Sequence, residues 1–298
     1  MCGIVGLFLK DKSMEAQLGT MLTDMLITMT DRGPDSAGIA IYSKESTNIG
    51  KLTVQSDTPD VDFNQLKDAL KQLIEGGIDI RVQSTHAVLE MRADQVESAR
   101  AVLKEIRPNV RVMSSGDSLE IYKEVGLPKD VASRFDIAQM SGSHGIGHTR
   151  MATESAVTTM GAHPFNTGRD QCLVHNGSLS NHNSLRRKLR RDGVHIETEN
   201  DTEVGAAYLT WKMQNGSTLG EALESSLKDL DGFFTFVVGT KDGFGVVRDP
   251  IACKPAVMAE TDQYVAFGSE YRALVNLPSI EDARVWEPEP ATVYFWNH

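Results

Sequence analysis

Cys2 carries the most distinctive chemistry in this chain. A small residue follows Met1, so removal of Met1 is expected, leaving Cys2 with a thiol and a free α-amine on one carbon. An α-amine titrates near ~7.7–8.0 and a thiol near ~8.5, so the amine takes the thiol proton near neutral pH, directly or through one water. Nucleophile and base are then one residue. The plainer reading of a cysteine at the head of an apolar strand is burial, and only its company decides between the two. Cys172 and Cys253 read as packed fillers. The three cysteines are spread over the whole length without the spacing of a disulfide framework or a metal site. His144 and His148 are four apart but lie in a Gly-rich stretch, so a helical metal pair does not apply and no metal site is expected.

The elements that must position Cys2 follow from periodicity. Cys2-Gly3-Ile4-Val5-Gly6-Leu7-Phe8-Leu9 reads as a buried strand, and Leu18, Met21, Leu22, Met25, Leu26 and Met29 recur at helical steps. Asp31 to Gly38 has loop chemistry before a second strand at Ile39 to Tyr42. From about Lys51 to Met140 the texture changes to a small α/β alternation: a charged helix near Phe63 to Glu75, a strand at Ala87 to Met91, a helix at Asp94 to Ile106, and strands at Val110 to Met113 and Leu119 to Val125. This block, residues 51–140, reads as an insertion. The Gly-rich run from Ser141 to His148 leads into Thr149-Arg150. A strand at Gln171 to His175 is expected to end at Asn176-Gly177, a pair that also suits a type I′ turn. Helices are expected at Asn181 to Arg191, Asp201 to Gln214 and Leu219 to Leu230. Strands follow at Phe233 to Gly239, Gly245 to Arg248, Ala256 to Met258, Tyr264 to Phe267 and Thr292 to Phe295.

Composition bounds the function. With 298 residues, 40% hydrophobic and 24% charged, the chain is expected to be a globular protein with a substantial core. A net charge of −11 disfavours nucleic acid or an anionic membrane as partner. The apolar start breaks at Lys10-Asp11-Lys12, too short for a membrane span or an export leader, so a cytoplasmic location is expected. The basic run Arg186, Arg187, Lys188, Arg190 and Arg191 reads as a solvated helix face or a docking patch for an acidic partner.

Six blocks occur in order: Cys2-Gly3-Ile4-Val5-Gly6, Arg32-Gly33-Pro34-Asp35-Ser36-Ala37-Gly38, Gly147 to Thr153, Ala162-His163-Pro164-Phe165, Val174-His175-Asn176-Gly177 and Asn200-Asp201-Thr202-Glu203. Together they resemble the class II glutamine amidotransferases, the N-terminal nucleophile glutaminase domains of glucosamine-6-phosphate synthase, amidophosphoribosyltransferase and glutamate synthase. The start of the chain, the Asp-Arg-Gly-Pro-Asp-Ser-Ala-Gly turn and the insertion look like the separately encoded amidotransferase subunits of glutamate-synthase-like complexes, of the N-methylglutamate synthase and GlxB types.

The resemblance implies an α+β fold, an Ntn-hydrolase four-layer αββα sandwich over residues 2–298 interrupted by the insertion. It implies that Cys2 attacks the glutamine amide to give a γ-glutamyl thioester, with Asn176 and the Gly177 N–H stabilising the oxyanion. Arg150 suits the α-carboxylate and Asp201 the α-ammonium of glutamine. Thr153 and His163 match pocket positions, and Arg32 and Asp35 match the loop covering the first strand. Ammonia would pass to a synthase on another polypeptide, whose FMN domain and β-helical domain would carry FMN and an iron–sulfur cluster; no cofactor is expected in this chain. The insertion is longer than in the sugar-phosphate members, and Met151 stands where those carry an aromatic residue. Docking of the synthase is an expected role for the insertion. Two other readings stay open: a free-standing Ntn amidase on another amide, and a non-catalytic regulatory subunit.

Overall fold

Side chains alternate across the strands, and the burial of both faces decides the layering. The computed structural model describes residues 2–43, 48–152 and 156–298. The chain begins with β1 (Gly3–Leu9), α1 (Leu18–Thr28), β2 (Ser36–Tyr42) and β3 (Ile49–Gln55). Next come α2 (Pro59–Asp62), α3 (Leu66–Lys71), β4 (Ile78–Gln83), β5 (His86–Arg92), α4 (Val96–Ile106), β6 (Arg111–Gly116), β7 (Leu119–Val125) and α5 (Pro128–Arg134). The second half holds β8 (His144–Arg150), β9 (Phe165–Gly168), β10 (Gln171–Leu179), α6 (His182–Arg191), α7 (Asp201–Gln214), α8 (Leu219–Asp229), β11 (Gly232–Thr240) and β12 (Gly243–Arg248). It closes with β13 (Val257–Glu260), β14 (Tyr264–Gly268), β15 (Arg284–Trp286) and β16 (Thr292–Asn297).

Two antiparallel sheets face each other. One has the order β15-β13-β14-β1-β8-β2-β7, the other β16-β12-β11-β10-β9. On β1, Ile4 and Phe8 point into the layer between the sheets, where they meet Val174, Val237, Phe244 and Val265. Val5, Leu7 and Leu9 point the other way, onto Leu18, Leu22, Met25 and Leu26 of α1, with Val131 and Ala132 of α5 in the same cluster. The outer face of the second sheet, including Leu173, Phe234 and Phe236, is covered by α6, α7 and α8. This is the expected four-layer αββα sandwich. Each fully buried Leu, Ile or Phe contributes ~1.5–3 kcal/mol by leaving water, so these three clusters supply the main drive for the layering.

The structure adds to or differs from the sequence reading at three points. First, the Gly-rich run before Arg150, given no element above, is the central strand β8, fully buried between β1 and β2. Its glycines are there because α1 lies directly on it: a Cβ on Gly147 would stand 2.9 Å from both Leu26 and Val5. Second, β10 does not end at Asn176-Gly177 in a turn. It runs on to Leu179, with Asn176 opposite Thr235 and Gly177 opposite Phe234 on β11. Third, the block 51–140 is divided. Strands β4-β5-β3-β6 form a separate four-stranded sheet with its own core under α3 and α4. By contrast β7 pairs with β2 along its whole length, and α5 packs against α1, so residues 119–134 belong to the sandwich. The separate unit therefore runs from Ile49 to Gly116. The reason is the pattern of β7 itself: Leu119 and Ile121 fill the layer between the two large sheets.

Candidate active site

The site gathers at one end of the central strands. Cys2 precedes β1 and is partly buried, with its Sγ 3.9 Å from the Met151 carbonyl. The Cys2 carbonyl accepts two hydrogen bonds, from Arg32 Nε at 2.9 Å and from Asn176 Nδ2 at 3.1 Å. Asn176 is itself buried on β10, so a side chain from the second sheet fixes the head of a strand in the first. Arg32 is buried too and pairs with Glu270 at 2.7 Å. Just after β14, Ser269 Oγ accepts the Ile4 N–H at 2.9 Å, which pins β1 from its other side.

Gly177 follows Asn176 at φ +152°, a conformation that favours glycine, and a Cβ there would lie 2.0 Å from the Phe233 carbonyl. The backbone beside Asn176 is thereby kept open in a way that no other residue type permits.

Arg150 ends β8, opposite Ser36 on β2, and is buried. Its Nη1 donates to the Ala156 carbonyl at 3.1 Å. Asp35 holds the chain just past it, its Oδ2 accepting the Ala152 N–H at 2.8 Å. Asp201 is the first residue of α7, where the unpaired N–H groups of the helix favour a negative charge. Its Oδ2 accepts the Leu179 N–H at 2.9 Å and its Oδ1 lies 3.7 Å from His175 Nδ1. Burial works against the Asp201 carboxylate. The hydrogen bond and charge of His175, the Leu179 amide and His182 outweigh it and hold the group down at about 2. The loop after Ala156 reaches from Arg150 to the start of α7, where Asn200 Nδ2 donates to the Gly161 carbonyl at 3.3 Å.

His163 is buried behind the surface of this site. Its ring stacks on His148 at 4.0 Å between centroids, and its Nε2 is 3.2 Å from Thr202 Oγ1. Thr202 Oγ1 is also 3.0 Å from His175 Nδ1. His163 thus supports the residue next to Asp201. Burial pushes His148 down to about 3 and His163 well below the usual imidazole range, so both rings are neutral. Thr153 and Met1 lie outside the described residues.

A match to a glutamine amidotransferase domain spans residues 148–276. The glutamine amidotransferase-like protein GlxB of Rhizobium meliloti (strain 1021) is 70% identical over 300 residues, covering 100% of this chain and 99% of that one. The chain belongs to the GlxB-like glutamine amidotransferase family. Glutamine–fructose-6-phosphate aminotransferase of Vibrio vulnificus (strain YJ016) is 36% identical over 129 residues, 43% of this chain and 21% of that one. Among solved structures, glutamine phosphoribosylpyrophosphate amidotransferase from B. subtilis, complexed with ADP and GMP, superposes with a TM-score of 0.64. That match covers 99% of this chain and 47% of the other at 20% identity, and the likeness is one of fold.

In this amidotransferase the two other cysteines differ from Cys2. Cys172 is buried between the sheets with Tyr42 Oη 3.3 Å from its sulfur, and burial pushes its thiol up to about 12, which suppresses thiolate. Cys253 is exposed and outside the constellation. The sequence gives no sign of Glu270 and Ser269, whose contacts to Arg32 and Ile4 span 238 and 265 residues. Thr202 and His175 were detectable, since both stand inside the motif blocks, but nothing in their spacing marks them as working residues. Among the described residues, no helix is long and apolar enough to cross a membrane.

Proposed function

We propose that this amidotransferase is a glutaminase subunit in which Cys2 cleaves the side-chain amide of glutamine. The thiolate sulfur bonds to the carboxamide carbon, the C–N bond breaks, and the nitrogen leaves as ammonia after taking up the thiol proton. Water then cleaves the C–S bond of the γ-glutamyl thioester, releasing glutamate and restoring the thiol. The Cys2 α-amine, freed by loss of Met1, serves as base. Asn176 Nδ2 and the Gly177 N–H stabilise the oxyanion, Arg150 takes the substrate carboxylate, and Asp201 takes its ammonium. Thr153 belongs to the same pocket by its place in the motif.

The carrying observation is the Asn176 Nδ2 bond to the Cys2 carbonyl at 3.1 Å, which supports an oxyanion donor and the nucleophile held by one contact across the two sheets. Ammonia passes to a glutamate-synthase-like partner, with FMN and an iron–sulfur cluster in the partner subunits, in an N-methylglutamate synthase or a related complex. Purified protein given glutamine is expected to release glutamate and ammonia, and Cys2→Ala to abolish both. Activity surviving that change would overturn the mechanism. Intact mass showing Met1 retained in active protein would overturn the α-amine as base.

A further inference from the structure

A cleft of about 760 Å³ lies away from Cys2, where the inserted unit meets the sandwich. One wall comes from α4 and β6, with Arg100, Lys104 and Met113. The other comes from Phe165 on β9 and Glu203 on α7, and Lys123 on β7 also lines the space. Sites of this size at a junction between structural units are where small ligands commonly bind.

Of the lining cations, Lys123 is already satisfied by the main chain and by the Phe165 ring, 4.5 Å from its Nζ. It is buried, and its Nζ donates only to main-chain carbonyls, at 2.8 Å to Ala162, 3.2 Å to Pro164 and 3.4 Å to Met160. Among the described residues no carboxylate lies within ion-pair distance of it. Burial pushes this ammonium down to about 7, outweighing the more distant Glu203 and Glu197, as expected of a charge removed from water without a paired counter-charge. Arg100 donates from Nη2 to Ser115 Oγ at 2.6 Å; its Nε makes no hydrogen bond, and its ion pair with Glu97, at 3.7 Å, is exposed to solvent. Two of the three lining carboxylates are already engaged. Glu203 accepts the Glu197 N–H at 2.7 Å and the Thr198 N–H at 2.6 Å, and Glu197 is 3.3 Å from His195. Asp192 stands exposed among the lining residues. The cleft therefore sets Arg100 and Lys104 beside apolar side chains from both walls, Met113 and Phe165.

We propose that this cleft binds a small organic anion, its carboxylate or phosphate facing Arg100 and Lys104 and its apolar body against Met113 and Phe165. The site is separate from the glutamine site and does not depend on the activity proposed for Cys2. It touches the same framework, because Ala162 and Pro164, held by Lys123, flank His163.

Isothermal titration calorimetry of the full chain without glutamine tests this. The probes are phenyl phosphate and phenylacetate, with benzyl alcohol as the neutral control. At least one anion is expected to bind, benzyl alcohol at least tenfold more weakly. The double variant Arg100→Gln/Lys104→Gln, on a partly exposed helix face, is expected to lose at least tenfold in anion affinity while its melting temperature stays near that of the wild type. The identity of the tighter anion separates a phosphate ligand from a carboxylate ligand. No binding of either anion, equal binding of benzyl alcohol, or unchanged affinity in the folded double variant would overturn the assignment.

Discussion

The two ends of β7 and β8 use buried charge in opposite ways. Around Cys2, charged side chains bond mostly to main-chain groups: Arg32 to the Cys2 carbonyl, Asp35 to the Ala152 N–H, Asp201 to the Leu179 N–H. At the seam with the inserted unit, charge meets charge. Glu120 on β7 receives Lys51 Nζ from β3 at 2.8 Å, Arg81 Nη2 from β4 at 2.7 Å and Tyr122 Oη at 2.7 Å. Burial opposes the Glu120 charge, and the Lys51 and Arg81 cations outweigh it, holding its carboxyl below the ordinary range. A bond from charge to backbone sets where one atom of the chain sits. A cluster of charges fastens two bodies with little regard for small displacements. The first region is built for position and the second for attachment.

That division is most sharply tested by removing Glu120. Glu120→Ala leaves Lys51 buried without its main partner, and breaking such a pair costs ~3–5 kcal/mol. Urea denaturation should show a loss of that size, with glutamine affinity within about twofold of wild type. A comparable fall in affinity would erase the distinction. Asn176→Ala should behave in the opposite sense. Loss of one oxyanion donor costs ~2.7–4 kcal/mol of barrier, so kcat is expected to fall by ~10²–10³. Unfolding free energy should drop by only about 1 kcal/mol for the lost bond to Cys2. A variant crippled in stability but normal in kcat would place Asn176 with the fasteners.

Local pattern carried some of this and topology the rest. The steps from Leu18 to Met29 placed α1, and α7 begins and ends where the sequence puts it, at Asp201 and Gln214, with Asn200 capping it in the structure. Glycine misled the reading at Gly177 and left the stretch around Gly147 without an element, because its usual signal is a turn and here the cause is a helix or a strand pressing on the backbone. The edge of the inserted unit was misplaced because Leu119 and Ile121 alternate like any strand, and only pairing with β2 tells which sheet they join. In the site, Arg32 and Asp35 were legible as loop support, but the partners Glu270 and Ala152 are 238 and 117 residues away. The buried set of His148, His163, His175 and Thr202 has no spacing of its own. It exists because β8, β10 and α7 converge.

The smallest expected effect separates position from attachment by pH. Asp201 titrates at about 2 in the folded protein and near ~3.9 when unfolded. A depressed carboxyl contributes stability that is fully present above the unfolded value and is lost as pH falls through the folded one. The window is therefore about pH 4 to pH 2, and the contribution is of order ~2 kcal/mol. Asp201→Asn removes the titration while leaving an oxygen to accept the Leu179 N–H. The difference in unfolding free energy between wild type and variant should then shrink steadily across that window and be absent below it. The lowering rests on His175, the Leu179 amide and His182, and among the described residues no lysine or arginine forms an ion pair with the carboxylate. The difference at pH 5 should accordingly change little between low and moderate salt. A pH-independent difference would show that Asp201 is held as a neutral packing group, and a strongly salt-dependent one would put it with Glu120 among the fasteners.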